Sequence, residues 1–140
     1  MYLLDTNVVS ELRRHRPHGA VVAWIKSVSS ETIYLPAVVI GEIAIGIERT
    51  SVSDPVKAQE LSEWLDQILN TSQCISADAQ TFRIWGGLTH RLAPDLLADA
   101  LIAATAVQRN MIVVTRNVGD FIKLGVQVLN PFEFAVDILK

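Results

Sequence analysis

The sequence predicts an α/β fold, a three-layer α/β/α sandwich around a central, mostly parallel sheet. Three observations predict it. Short apolar runs alternate with longer stretches of helical periodicity along the whole chain. The clearest run, Ile112-Val113-Val114-Thr115, is short and continuously apolar, as an interior parallel strand is. No repeat, linker or low-complexity segment breaks the alternation, so the 140 residues read as a single domain, 1–140, able to bury a real core.

Residues 2–5 form the first expected strand, and the spacing of Val8, Val9 and Leu12 predicts a helix from Asn7 to about Arg14, ended by Pro17. Ala20 to Val28 reads as a second, amphipathic helix, and residues 32–35 as a second strand. Pro36 opens a helix to about Arg49 that is apolar nearly all round, and hence buried or in an interface. Asp54-Pro55 supplies a cap and first helical position for a helix to about Asn70. Cys74-Ile75 is a third short strand, and Asp78 caps a helix weakened by Gly86-Gly87, where a close helix–helix contact is one expected reason. Pro94-Asp95 opens a helix to about Arg109 whose small apolar residues suit packing on a sheet, with Asp99 in its middle. Val126 to Leu129 is the last strand, followed by Asn130-Pro131 and an apolar tail.

Composition narrows the function classes. Half of the residues are hydrophobic and 19% are charged, which excludes a disordered tail. Mean hydropathy is high at +0.32, yet no apolar run reaches the ~18 residues of a membrane span. The N-terminus shows no basic region followed by an apolar stretch. Surplus apolar surface for a partner or for self-association is the expectation, in a cytoplasmic protein. The single Cys74 excludes an internal disulfide and a cysteine zinc cluster. A net charge of −3 is no broad nucleic-acid footprint. The basic residues nevertheless crowd at Arg13, Arg14, His15, Arg16 and His18, either a solvated helix end or a phosphate-binding patch. There is no Walker loop, dinucleotide fingerprint or Gly-x-Ser-x-Gly elbow. His15, His18 and His90 lack ligand spacing and read as surface residues.

Three carboxylates stand in odd places: Asp5 at a strand tip, Glu42 in an apolar helix and Asp99 in another. Asp5 reads equally as a helix N-cap or as a site residue in the crevice outside the strand ends. A lone buried carboxylate is costly, and several brought together repel unless a cation sits among them. A hard divalent ion such as Mg²⁺ or Mn²⁺ satisfies them, and it would assist hydrolysis of a phosphodiester by activating water. The competing expectation is that each acid pairs with one of Arg13, Arg49, Arg83, Arg91, Arg109 or Arg116.

Four stretches in order, Leu4-Asp5-Thr6-Asn7-Val8, Gly41-Glu42-Ile43, 99–106 and 115–121, resemble a PIN-domain ribonuclease of the VapC/FitB toxin type over almost the whole chain. The resemblance implies a metal-dependent endoribonuclease, the toxin of a type II toxin–antitoxin module, acting on single-stranded or loop RNA. It places Asp5, Glu42 and Asp99 as ligands of Mg²⁺ or Mn²⁺. Where many relatives carry a fourth acid this chain has Asn117, and Asp120 three residues on is the candidate replacement. Thr115 and Asn7 would orient ligands or water, Thr6 would satisfy the strand–helix turn, and Arg13, Arg14 and Arg116 are candidate phosphate contacts. A cognate antitoxin, and a homodimer or a toxin–antitoxin hetero-oligomer, are the implied partners. Two alternatives are a noncatalytic PIN-like binding module and a structure-specific DNA nuclease.

Overall fold

The computed structural model describes residues 1–135; of the apolar tail expected after Pro131, residues 136–140 lie outside the described residues. Five strands form one sheet: β1 (Tyr2–Leu4), β2 (Ile33–Pro36), β3 (Gln73–Ile75), β4 (Ile112–Val114) and β5 (Val128–Leu129). All neighbours pair in parallel, in the order β3-β2-β1-β4-β5. Leu3 is in register with Tyr34 on one side and Val113 on the other. β1 and β4 are central, and Leu3, Val113 and Val114 are fully buried, as strands covered on both faces must be.

The helices are α1 (Thr6–Arg13), α2 (Gly19–Ser27), α3 (Ala37–Ser53), α4 (Pro55–Thr71), α5 (Ala79–Thr89), α6 (Leu97–Arg109) and α7 (Val118–Lys123). The strand order runs outward one way through β2 and β3 and the other way through β4 and β5, so crossovers of one hand put α1–α4 on one face and α5–α7 on the other. Most helix contacts follow that division: α1 meets α2 and α3, α3 meets α4, and α6 meets α5 and α7, while α3 and α6 touch across it. Trp24 of α2 fills one side of the core, and Phe121 of α7 is fully buried. Ala100, Ala103, Ala104 and Ala106 of α6 are buried, so a helix of small side chains lies close on the sheet. Among the described residues no helix is long and apolar enough to cross a membrane.

Local chemistry sets the boundaries. Asp54 caps α4 through Lys57 N–H at 3.1 Å, with Pro55 behind it. Asp78 and Thr81 form a capping box at α5. Asn110 closes α6 in the left-handed region at φ 53°. Several expectations change. Pro94 opens a 3₁₀ turn over Pro94–Leu96, so Asp99 lies in the first turn of α6 instead of its middle. The last strand is only Val128–Leu129, since Gly125 turns the chain at φ +78° just before it. A Cβ on Gly86 or Gly87 would meet nothing within 4 Å, so no close helix contact explains them. Of the two expectations for α3, burial or an interface, burial fails at Ile45, which is 52% exposed. His18, read as a surface residue, is exposed and also caps α2, its Nδ1 accepting from Ala20 N–H at 3.2 Å.

Candidate active site

The strand order reverses between β1 and β4, and the crevice at such a switch point is where open α/β sheets place ligands. Asp5 follows β1 and Thr115 follows β4, and Asp5 N–H donates to Val114 O at 3.0 Å, so the two tips stay in register. Asp5 is 5% exposed and meets both of its predicted descriptions. Its Oδ1 caps α1 by accepting from Thr6 N–H at 2.8 Å. Its Oδ2 faces the crevice and accepts from Thr115 Oγ1 at 2.8 Å and Asn7 Nδ2 at 3.2 Å.

Thr115, fully buried, also accepts from Asn117 N–H at 2.9 Å and Asn7 Nδ2 at 3.3 Å. Asn7 Oδ1 accepts from Arg116 N–H at 3.1 Å, so the loop after β4 is pinned to the first turn of α1. Glu42, half-buried in α3, accepts from Thr6 Oγ1 at 3.0 Å. Thr6 therefore orients an acid, and the turn it was expected to serve is capped by the Asp5 carboxylate instead. Asp99 reaches the same edge because α6 runs back toward the start of β4 and begins at the carboxyl ends of the strands. Asn117 Nδ2 donates to Asp120 Oδ2 at 2.8 Å and to Asp99 Oδ2 at 3.4 Å, joining α6 to α7. α3 and α6 touch over this edge.

The carboxyl groups feel one another. Burial pushes the Asp5 pKa up, against the hydrogen bonds from Thr115, Thr6 and Asn7. Burial and the Asp5 charge raise Glu42, against the Thr6 hydrogen bond. Asp99 is pushed up to about 6 by burial and then by the charges of Asp5, Glu42, Asp120 and Asp95. No described Lys or Arg forms an ion pair with any of these acids; the one described side-chain ion pair joins Arg14 to Glu11. The expectation of Arg-paired acids is thus not met at Asp5, Glu42 or Asp99. The acids are not drawn in to a shared centre either. Among the described residues, no three His, Cys, Asp or Glu side chains form a group compact enough to hold a metal ion as they stand. As a donor set, oxygen-only carboxylates and amides with no cation among them suit a hard divalent ion.

The candidate phosphate contacts divide. Arg13 lies over the Trp64 ring at 5.9 Å and lines a cavity of about 200 Å³ with Thr6, Ser10, Glu42 and Thr50. Arg14 is paired with Glu11 at 3.4 Å. Arg116 stacks on Phe132, its Cζ 3.7 Å from the ring centroid. A larger cavity, about 510 Å³, lies away from the acids among apolar residues such as Leu12, Ile25, Trp64 and Ile68. Glu11, 7% exposed, is the buried acid that sequence reasoning missed. Its spacing to Arg14, one helical turn on, was the available signal.

A parallel five-stranded α/β/α sandwich in this strand order is a PIN-like fold. The chain belongs to the PIN domain family, whose profile matches residues 2–126. It is 33% identical over 139 residues to the toxin FitB of Neisseria gonorrhoeae, covering 94% of this chain and 99% of that protein. It is 31% identical over 140 residues to the VapC ribonuclease Y4jK of Sinorhizobium fredii, covering 95% and 99%. Among solved structures it is similar to FitAB bound to an IR36 DNA fragment, with 35% identity, a TM-score of 0.82 and coverage of 98% of this chain and 99% of that one. The chain is thus a PIN-domain relative of the VapC/FitB-type toxins.

Proposed function

We propose that this protein is a divalent-ion-dependent endoribonuclease, the toxin of a type II toxin–antitoxin pair. One observation carries the reading: Asp5, Glu42 and Asp120 lie near enough for their charges to act on Asp99, with no described cationic side chain paired to any of them. Such a grouping stores repulsion that a hard cation relieves. Asp5, Glu42 and Asp99 would hold Mg²⁺ or Mn²⁺, with Asp120 or Asn117 at a fourth position. When bound, the ion supplies charge stabilisation at a phosphate oxygen and lowers the pKa of water.

The chain's own residues do the rest. Thr115 and Asn7 fix Asp5 Oδ2, and Thr6 Oγ1 aims Glu42. The Asn117 amide spans Asp99 and Asp120. Asp120 is the candidate acceptor for a proton from the attacking water. Of the candidate phosphate contacts Arg13, Arg14 and Arg116, Arg14 is already paired with Glu11, which leaves Arg13 and Arg116 for the RNA backbone. The similarity to a VapC ribonuclease supports RNA as substrate. The similarity to the toxin FitB, and to FitAB as solved on DNA, supports a partner antitoxin. The exposed Ile45, Val52 and Val56 of the α3–α4 hairpin offer apolar surface to that partner or to a second copy.

The test is RNA cleavage that requires Mg²⁺ or Mn²⁺ and stops with EDTA. Undiminished cleavage by both Asp5→Asn and Asp99→Asn would sink the assignment. A noncatalytic module is the second reading, favoured by the acids' failure to form one compact group. Calorimetry with Mn²⁺ separates the two, since the module binds none.

A further inference from the structure

Glu11 is buried although it lies outside the acid cluster, and the nuclease reading gives it no task. Its Oε2 accepts from His18 N–H at 3.1 Å and its Oε1 from Arg14 Nη1 at 3.4 Å. Burial pushes its pKa up, but the His18 hydrogen bond and the charges of Arg14 and Arg116 bring it below the ordinary range. Glu11 is thus ion-paired with Arg14, and its His18 hydrogen bond holds the ring that packs on Phe132, the platform under Arg116. The Arg116 main chain stands beside the site, because its N–H is hydrogen-bonded to Asn7, which itself holds Asp5.

Phe132 completes the arrangement. The segment after β5 folds back over the start of α2, where Phe132 meets the His18 ring edge-on at 5.4 Å. Its face carries the Arg116 guanidinium at 3.7 Å. A cation stacked on a ring uses its face and leaves its in-plane N–H donors available. Among the described residues the Arg116 guanidinium makes no hydrogen bond, and the residue is exposed. Its place is set while its donors remain unspent. That is the condition a fork-shaped phosphate contact requires, and an acid pocket facing a polyanion needs such a counterweight.

We propose that Arg116 is the phosphate clamp for the RNA strand beside the acid cluster, and that Glu11 and Phe132 are positioning residues that hold it there from below. This rests on the ribonuclease reading. The clamp acts on the backbone, so it serves every sequence alike.

The test is equilibrium binding of a fluorescent single-stranded RNA oligonucleotide across a salt series, in an Asp5→Asn background that binds without cutting. Arg116→Ala is expected to weaken binding about tenfold and to lower the salt slope by about one. Arg116→Lys should not restore it, because an ammonium cannot stack and fork. Phe132→Leu and Glu11→Gln should each weaken binding about threefold, while Phe132→Tyr, which keeps the ring, matches the parent. Unchanged affinity and slope in Arg116→Ala, with a parent that binds RNA, overturns the clamp and leaves the nuclease reading intact. Loss of affinity in Arg116→Ala with none in folded Phe132→Leu and Glu11→Gln overturns the positioning roles. A parent that binds no RNA, from a wild type that cuts none, overturns the ribonuclease reading and the clamp with it.

Discussion

The two ends of α1 each bury a carboxylate, and the two are treated oppositely. Asp5 at the start is 5% exposed, and Glu11 near the end is 7% exposed. Glu11 is met by Arg14 and by the His18 N–H, and its pKa falls. Asp5 is met only by neutral donors, Thr115, Thr6 and Asn7, and its pKa rises. Burial alone therefore does not separate a structural acid from a site acid. The presence or absence of a cation does, because charge compensation decides whether a buried carboxylate is at rest.

The sharpest way to break this comparison is to neutralise one acid at a time and read activity. Asp5→Asn should reduce RNA cleavage at least about a hundredfold, more than the loss of even an outer-shell partner of a metal site costs. Circular dichroism should show its fold retained, because the amide keeps the Oδ1 cap on Thr6 N–H. Glu11→Ala should act the other way round. It leaves His18 N–H and Arg14 without their acceptor and should cost about 2 kcal/mol in urea unfolding. Since its folded pKa is depressed, Glu11's contribution is present above its ordinary value of 4.5 and is lost as pH falls through the folded value.

Asp99 sharpens the contrast further. Its folded pKa of about 6 lies above its ordinary 3.8, so the folded state favours the protonated acid. Its favourable contribution is full below 3.8 and disappears as pH rises through about 6. In EDTA at pH 7.5, Asp99→Asn should therefore be more stable than wild type by roughly 1–2 kcal/mol after solvent screening, with the gain gone at pH 3.5. A variant that loses activity and gains stability is the signature of strain kept for function. The smallest effect is expected at Thr115→Val, which removes the shortest hydrogen bond to Asp5 Oδ2. It should destabilise by about 1 kcal/mol and raise the Asp5 pKa further, read by carboxyl NMR titration.

The candidate site was legible in part because charge stood out against apolar sequence. Asp5, Glu42 and Asp99 interrupt runs that otherwise read as core, and the structure brings them to one edge. Glu11 was not legible in this way. It sits among Ser10, Arg13 and Arg14, which read as a solvated helix end, and its burial comes from the return of the chain at His18. α7 was also missed, since six residues after a polar strand tip give no period to measure. The stack of Arg116 on Phe132 joins residues on separate elements, which no local spacing announces.

By itself the sequence determined the alternation of strand and helix, and hence a parallel sheet covered on both faces. Apolar period and turn chemistry act over a few residues, so they can be read in one dimension. It also determined which acids were out of place. Only the tertiary structure decided which of them would go without a cation. That depends on pairings such as Thr115 with Asp5 and Asn117 with Asp99, made where strands and helices from distant parts of the chain end together. Electrostatic compensation is a property of neighbours in space, and the switch point between β1 and β4 chooses those neighbours.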